Sequence, residues 1–280
     1  MVDLAALLEH KGDLPQAIDL LQRALRVDPY RLDALLGLGR LWAALGEADR
    51  SRPWFARALD IDPDCAAAQA GFDGLSEGLT DAYIRTLFDQ YAPRFDSDLT
   101  DALAYRAPAH VAAMLSRHAP GETALSVLDL GCGTGLSGAA LKPFAWRLDG
   151  IDLSPGMTAR ARVRGLYDSL EIAEARGFLE RSDQLWDVIA AVDMLNYVGD
   201  LEPILAAAAT RLAPGGLVVG TLERCAAGTV LTAKRRYAHG VDHLEAAAKS
   251  AGLEPLEIAE GPLRTEGGAP VAGLIFALRR

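Results

Sequence analysis

Two patterns of apolar and polar positions follow one another along the chain. In the first, Gly12, Leu21, Ala24 and Pro29 return as Gly46, Phe55, Ala58 and Pro63 at a constant offset of 34 residues. Small and apolar residues repeated at that period, with a closing proline, predict pairs of antiparallel helices. A further helix over 65–75 would cap the stack, because a repeat does not bury its outer face alone. In the second pattern, short apolar runs alternate with helical stretches. A strand is predicted from Leu125 into the glycines that begin at Gly131, its apolar run Val127-Leu128 stopping at Asp129, and further strands at 148–152, 169–173, 186–192 and 217–222, with helices at 201–212 and 241–251. Such alternation implies a parallel sheet. The last two runs, 255–260 and 271–278, are joined by a turn at Gly267-Gly268, so they read as an antiparallel hairpin and not as another crossover. Between the two patterns lies 81–96, where aromatic and charged residues alternate at helical spacing until Pro93 breaks the run.

Composition changes this picture little. A chain of 280 residues with 50% hydrophobic and 24% charged positions describes a globular protein of two units, not a disordered one. No apolar run approaches the roughly 20 residues that span a membrane, so no membrane association is expected. Met1-Val2-Asp3-Leu4 offers no basic stretch ahead of an apolar one, which reads against a secretory signal and for a cytoplasmic protein. Cys65, Cys132 and Cys225 are odd in number and lack C-x-x-C spacing; free thiols are expected, with neither a disulfide framework nor a metal site. The net charge of −10 argues against nucleic acid as a partner. Lys234-Arg235-Arg236 and Arg279-Arg280 are too short to reverse that; the first reads as a solvated helix face or as a point that meets an anionic substrate.

The chemistry is concentrated where the first strand of the second pattern meets its helix, between Leu125 and Gly138. Gly131, Gly133 and Gly135 alternate there, baring backbone amides and a helix N-terminus in space that Cβ atoms would otherwise fill. That is a binding loop for a nucleoside-type cofactor. Gly133-Thr134-Gly135-Leu136-Ser137-Gly138 is a formal match to the dinucleotide fingerprint G-x-G-x-x-G. In that register the first glycine would follow the strand directly, whereas here the apolar run stops at Asp129 and Gly131 comes earlier. The next strand ends in Asp152, about 20 residues beyond the loop, a spacing at which a carboxylate meets a ribose. An N-cap or turn role ahead of Ser154-Pro155 is the alternative for Asp152.

Asp129-x-Gly131-x-Gly133-x-Gly135 resembles the first motif of the class I, Rossmann-like methyltransferases that depend on S-adenosyl-L-methionine, and Asp152-Leu153-Ser154-Pro155-Gly156-Met157 resembles the second. The closing hairpin is similar to the one in that fold, and dinucleotide-binding Rossmann domains lack it. The 34-residue period resembles the tetratricopeptide repeat, with Gly39 and Trp42 at its small and aromatic positions and Gly46 at the inter-helix turn. Residues 81–96 resemble the segment F-D-x-Y-A-x-x-F-D of a bacterial methyltransferase subgroup that carries such repeats. The resemblance implies an α/β fold: a seven-stranded Rossmann-like methyltransferase sheet with an antiparallel last strand, preceded by a small all-α helical-repeat unit. Its implied boundaries are 1–77 for the repeats, 78–120 for a helical cover and linker of the cofactor pocket, and 121–280 for the methyltransferase domain.

The resemblance also implies the cofactor contacts. Asp129, Gly131, Cys132, Gly133, Thr134 and Gly135 would hold the methionine end, and Asp152 the ribose. Leu153 and Met157 would pack on the adenine, Glu174 would accept from its amino group and Ala175 would offer a backbone N–H. Asp193 falls beyond the fourth strand, and Tyr91 and Phe95 would line the pocket from a segment folded over it, with Arg94 as a carboxylate partner.

Methyl transfer is a displacement at an activated sulfonium, so alignment and exclusion of water are the main demands on the protein. A base is needed only if the acceptor arrives protonated. His239, Tyr237 and Glu223 are the catalytic candidates, with Asp193 beside them. Arg264 and Glu266, near the hairpin turn, read as a surface ion pair or as residues facing the acceptor. Asp193-Met194-Leu195-Asn196-Tyr197-Val198 lacks the N/D-P-P-Y pattern of amino-methylating enzymes, and no proline precedes a cysteine there, which argues against cytosine C5 methylation. The expected activity is methyl transfer to a small-molecule acceptor, at oxygen or nitrogen. The alternatives are methylation of a protein recruited through the repeats and a cofactor-binding adaptor without turnover. Two repeats fall below the usual minimum of about three. The repeat unit is therefore expected to lean on the catalytic domain or on a second copy in a homodimer, or to dock a protein partner.

Overall fold

The 34-residue period becomes two helical hairpins and a capping helix: α1 (Val2–His10), α2 (Leu14–Val27), α3 (Leu32–Ala44), α4 (Ala48–Ile61) and α5 (Ala66–Asp73). Gly12 (φ 81°) and Gly46 (φ 70°) turn the chain between the helices of each hairpin in a left-handed conformation that favours glycine. Pro29 and Pro63 follow the ends of α2 and α4. Leu21, Ala24, Leu35, Leu38, Leu41, Phe55 and Ala58 form the core of this unit. The Phe55 ring lies where Cβ atoms at Gly39 and Gly71 would come within 2.6 and 2.4 Å of it, so the small residues exist to admit one aromatic. The computed structural model describes residues 1–73, 79–99, 103–119, 121–232 and 234–280, and the chain divides into two units, 1–87 and 88–280. Leu75, the expected end of the capping helix, and the expected boundary at 77 lie outside the described residues.

After α6 (Asp81–Tyr91), the one-turn α7 (Phe95–Ser97) and α8 (Ala107–His118), the second unit alternates strands and helices. These are β1 (Leu125–Leu130), α9 (Leu136–Leu141), β2 (Ala145–Asp152), α10 (Pro155–Arg164), β3 (Ser169–Ile172), α11 (Ala175–Arg181), β4 (Trp186–Ala191), α12 (Glu202–Arg211) and β5 (Leu212–Arg224). Two short strands, β6 (Thr229–Leu231) and β7 (Tyr237–His239), then precede α13 (Val241–Ser250) and the hairpin of β8 (Glu254–Glu266) and β9 (Ala269–Arg279). The sheet runs β3-β2-β1-β4-β5-β7-β6, with β9 antiparallel between β5 and β8.

The seven expected strands are all present, and among the described residues the count rises to nine because β6 and β7 add to the edge. Lys234-Arg235-Arg236 therefore lies in the connection between two strands and not on a helix face. At three residues each, neither strand carries enough alternation to be seen in sequence.

Successive residues of each strand serve opposite faces. Leu128, Ile189 and Leu222 pack beneath α12 and α13 with Ile204, Leu205 and Leu244, while Val127, Val188 and Val219 pack against α8 with Val111, Met114 and Leu115. Both faces are covered, which is why these strands read as continuous apolar runs. Among the described residues no helix is long and apolar enough to cross a membrane.

Phe55→Ala should empty the space left by Gly39 and Gly71 and cost about 3–5 kcal/mol in the helical unit. Urea denaturation followed by far-ultraviolet circular dichroism would register it, and an unchanged midpoint would count against this account of the small residues.

Candidate functional site

Parallel strands bring their carboxyl ends to one edge of the sheet, and the glycine loop lies there between β1 and α9. Gly131, Gly133 and Gly135 have φ values of 66°, 55° and 90°, so the loop's course depends on glycine at all three. Their surroundings differ. A Cβ at Gly131 would strike the Met194 side chain at 2.4 Å, whereas at Gly133 the nearest atom is Cε1 of Phe95 at 3.9 Å. Gly133 thus faces space that a ligand can enter. Cys132 is buried with its thiol pushed well up by burial, and its backbone N–H donates to Ile151 at 2.9 Å.

Gly138 explains the formal dinucleotide match. A Cβ there would meet the Tyr167 hydroxyl at 2.3 Å, and one at Gly150 would meet the same ring at 2.7 Å. Both glycines make room for Tyr167, which donates to Asp129 Oδ2 at 2.7 Å beside Ser137, which donates to the same oxygen at 2.7 Å. The other oxygen, Asp129 Oδ1, is buried without a hydrogen-bond partner among the described residues. Burial pushes the Asp129 carboxyl up to about 7 against the two hydroxyl bonds.

Asp152 is tied to the loop. Its carboxylate accepts from the Gly133 N–H at 2.9 Å and the Ser154 N–H at 2.8 Å, and burial raises it to about 6. Ser154 caps α10 by accepting from the Met157 N–H at 3.1 Å. The capping role weighed for Asp152 therefore belongs to its neighbour. Leu153 is partly exposed, while Met157 is 1% exposed. Glu174 is the N-cap of α11, both of its oxygens taken by the Arg176 and Gly177 N–H groups at 2.7 and 2.6 Å, and Ala175 opens that helix.

The segment from Phe88 to Asp98 is fastened to this loop. Asp89 accepts from the Ser154 hydroxyl and from the Gly156 N–H at 3.0 Å, and Asp96 accepts from the Thr134 hydroxyl and from Arg164 at 2.6 Å. Phe88 stands edge-on to Tyr197 at 5.1 Å and to Phe95 at 6.2 Å, and Phe95 edge-on to Tyr91 at 5.2 Å. The result is an aromatic arch from the turn after β4 to the glycine loop. Arg94 lies over the Tyr91 ring at 5.4 Å and pairs with Asp98. Asp89, Asp96 and Phe88 were missed in the sequence, although the twofold aromatic–acid pair Phe88-Asp89 and Phe95-Asp96 marks them.

At the far end of the arch is an ion cluster. Arg264 is 5% exposed and donates to Asp193 at 3.0 Å, to Glu223, and to Glu266 at 2.6 Å. Arg236 donates to Glu223 and Glu266, and Lys234 to Glu266. Arg264 and Glu266 are therefore no surface pair: β8 carries Arg264 across the sheet edge to Asp193 and Glu223, 71 and 41 positions earlier. Burial alone would lower the Arg264 pKa, but Asp193 and Glu223 raise it. Against burial, Lys234 and Arg264 hold Glu266 down to about 2. Asp193 has φ 58° and is further held by Asn196 at 3.1 Å and by Thr221.

Of the three catalytic candidates, Glu223 is thus bound by two guanidinium groups. His239 is completely buried and stacked on His243 at 5.2 Å. The Leu195 and Val198 carbonyls lie near its ring without reaching hydrogen-bond geometry, and burial lowers its pKa to about 4. Tyr237 packs against Gly199 and neighbours His239 at 6.4 Å. Tyr105, which sequence reasoning passed over, is pushed well above its ordinary pKa by burial and by the Asp193 carboxylate. Among the described residues no cluster of metal-binding side chains forms.

A family model described as a methyltransferase domain matches residues 94–257, and one described as a tetratricopeptide repeat matches residues 2–65. Methyltransferase-like protein 27 of Homo sapiens is 42% identical over 88 residues, 30% of this chain and 35% of that protein. The ubiquinone biosynthesis O-methyltransferase of Xylella fastidiosa is 36% identical over 110 residues, 38% of this chain and 45% of that protein. The chain thus spans less than half the length of either relative. The structure of the N-methyltransferase NodS from Bradyrhizobium japonicum with S-adenosyl-L-homocysteine shares 20% identity and a TM-score of 0.54, covering 70% of this chain and 97% of its own. At that identity the likeness is one of fold.

Arg264→Ala would leave Asp193 buried without its cation while Glu223 and Glu266 keep Arg236 and Lys234, at a cost of about 3–5 kcal/mol near pH 8. Asp193 would then hold a proton in the folded state that it releases on unfolding, so the deficit should shrink as the pH falls toward 5. Chemical denaturation of both proteins at the two pH values would check this; a deficit that grows on acidification would refute it.

Proposed function

The chain belongs to the methyltransferase-domain family, and from that premise we propose that it binds S-adenosyl-L-methionine at the glycine loop and methylates the oxygen or nitrogen of a small molecule. When bound, this cofactor supplies a methyl group already activated on a sulfonium. The observation that carries the reading is the bond from the Gly133 N–H to Asp152, which makes the loop and the acid of the second strand one unit. A carboxylate oxygen accepts more than one hydrogen bond, so Asp152 retains capacity for ribose hydroxyls while held by two amides. Asp129 Oδ1, buried and unpartnered, is a ready acceptor for a cationic amino group, and Gly133 leaves room for a ligand beside it. The amides of Gly131 to Gly135 would frame the methionine end, with Leu153 at the adenine. Met157 contributes from beneath, as part of the core under α10.

The arch over the loop has the role of excluding water. Asp89 and Asp96 fix it at both ends of the cofactor groove, while Phe88, Tyr91, Phe95 and Tyr197 present apolar rings to the reacting centre. No side chain here needs to serve as a strong base. The enclosure of His239 and the engagement of Glu223 by two arginines favour a mechanism that rests on alignment. Similarity to an O-methyltransferase of ubiquinone biosynthesis supports oxygen as the acceptor atom and a small molecule as its bearer.

Two outcomes are expected of binding measurements with S-adenosylhomocysteine. Asp152→Ala should weaken affinity by about tenfold or more, the worth of a charge-assisted hydrogen bond, and an unchanged dissociation constant would remove Asp152 from the site. Asp129 and Asp152 are held up to about 7 and 6 by burial and bind a ligand better once ionised. Affinity should therefore rise with pH between about 5 and 7 and level off above, with proton release on binding in the lower range. Asp129→Asn should flatten that rise. Calorimetry in buffers of different ionisation enthalpy reads both, and affinity that falls over this range would contradict the assignment.

A further inference from the structure

The ion cluster at the acceptor end bears on which molecule is methylated. Asp193, Glu223 and Glu266 are matched by Arg264, Arg236 and Lys234, three acids by three bases. Arg264, the most deeply buried, spends its Nε and both terminal nitrogens on three different carboxylates. An acceptor bearing a carboxylate or phosphate would have to take a guanidinium from a buried acid and leave that acid unpaired, at several kcal/mol. A cationic acceptor would meet carboxylates already neutralised by arginine, and its own desolvation would go uncompensated. The cluster therefore rejects charge of either sign.

The arch that ends near it is built of flat rings, and Tyr91 and Tyr197 bring hydroxyls to it. Phe88, Phe95 and Tyr91 form the edge-on rings of the arch. Tyr105 and Tyr197 lie within the electrostatic reach of Asp193 and Arg264, both with pKa values raised first by burial, so their hydroxyls stay protonated. A protonated tyrosine hydroxyl is a neutral group that both donates and accepts a hydrogen bond, so Tyr105 and Tyr197 can meet an uncharged hydroxyl.

Resting on the methyltransferase reading above, we infer that the acceptor is an uncharged, planar molecule of the phenol or enol class, which stacks under the arch and presents its hydroxyl to the tyrosine side of the ion cluster. Molecules bearing a carboxylate, phosphate or ammonium group on the same ring are discriminated against. The selection comes from a charge balance already complete within the protein.

The test uses the full-length protein saturated with S-adenosylhomocysteine and three probes of one ring system: 2-naphthol, 2-naphthoate and 2-naphthylmethylammonium, titrated by calorimetry at pH 7. The neutral probe should bind at least about tenfold more tightly than either charged one, the discrimination expected when a charge enters a buried site without a partner. In Glu266→Gln, which leaves one cation in excess, 2-naphthoate should gain about tenfold on 2-naphthol. Equal or tighter binding of a charged probe by the unaltered protein overturns the inference while leaving the cofactor assignment intact. So does failure of 2-naphthol to bind to protein that holds S-adenosylhomocysteine. Failure to bind S-adenosylhomocysteine at all would instead overturn the methyltransferase reading, and this inference with it.

Discussion

Four parallel strands bring four acids to one edge of the sheet, and accommodating them in a largely buried setting is the constraint around which the upper half of this domain is arranged. Asp129 lies in β1, Asp152 ends β2, Asp193 follows β4 and Glu223 lies in β5. Each buried carboxylate costs several kcal/mol unless its lone pairs are met. Apart from Asp129 Oδ1, which has no partner among the described residues, the chain meets them in three ways. Asp129 receives two hydroxyls, Asp152 two backbone amides, and Asp193 and Glu223 share one arginine. Hydroxyls and amides satisfy a carboxylate without cancelling its charge. The arginine cancels it. The edge is thereby divided into a half that keeps anionic character available to a ligand and a half that is electrically closed.

The first half also accounts for the glycines. Satisfying Asp129 with Tyr167 brings a large ring against α9 and β2, and that ring fits only because positions 138 and 150 carry no Cβ. Glycines that look alike along the sequence thus answer to different needs: 131, 133 and 135 to backbone conformation, 138 and 150 to Tyr167. A pattern search that counts glycines without asking what each one admits conflates the two groups. The dinucleotide register in this loop is such a conflation.

How much was legible in sequence follows from how far apart the interacting residues lie. The repeat unit was readable because Phe55 and its glycines sit within one period, and the sheet because each strand carries its own apolar run. The hairpin was readable from Gly267-Gly268, which turns the chain with φ values of 57° and 81°. The ends of the strands were less so. β5 extends back through Pro214-Gly215-Gly216 to Leu212, because Gly215, at φ 76°, lets the pairing with β4 resume after a bulge. Glu174 was assigned to a ligand from its place after β3, but an acid preceding a helix is first claimed by that helix's free amides, and its side chain closes on Arg176 and Gly177. Arg264 was not read as buried although Leu263 beside it is fully buried, because the burial of an arginine is settled by its partners, and Asp193 and Glu223 lie 71 and 41 positions away. Its partners arrive from β4, β5 and the β6–β7 connection only when the sheet closes.

The same distinction separates what this fold shares from what it varies. The proposed cofactor half is local: residues 129 to 157 supply both acids, the glycine loop and the adenine wall from one strand–helix–strand–helix run. It is also held from outside the run, by Tyr167 on Asp129, by Asp89 on Ser154 and Gly156, and by Asp96 on Thr134. The proposed acceptor half draws on 88–98, Tyr105, 193–199, Glu223, 234–239 and 264–266, stretches that lie far apart in sequence. A change in any one, such as the charge at position 266 or the length of the β6–β7 connection, alters the charge balance without touching the glycine loop. Under the proposed function the acceptor would be set by contacts that only the folded chain brings together, while the cofactor would be set mainly by contacts that a short stretch of chain carries with it. A sheet with the same loop and a different set of distant segments would keep its methyl donor and exchange its acceptor.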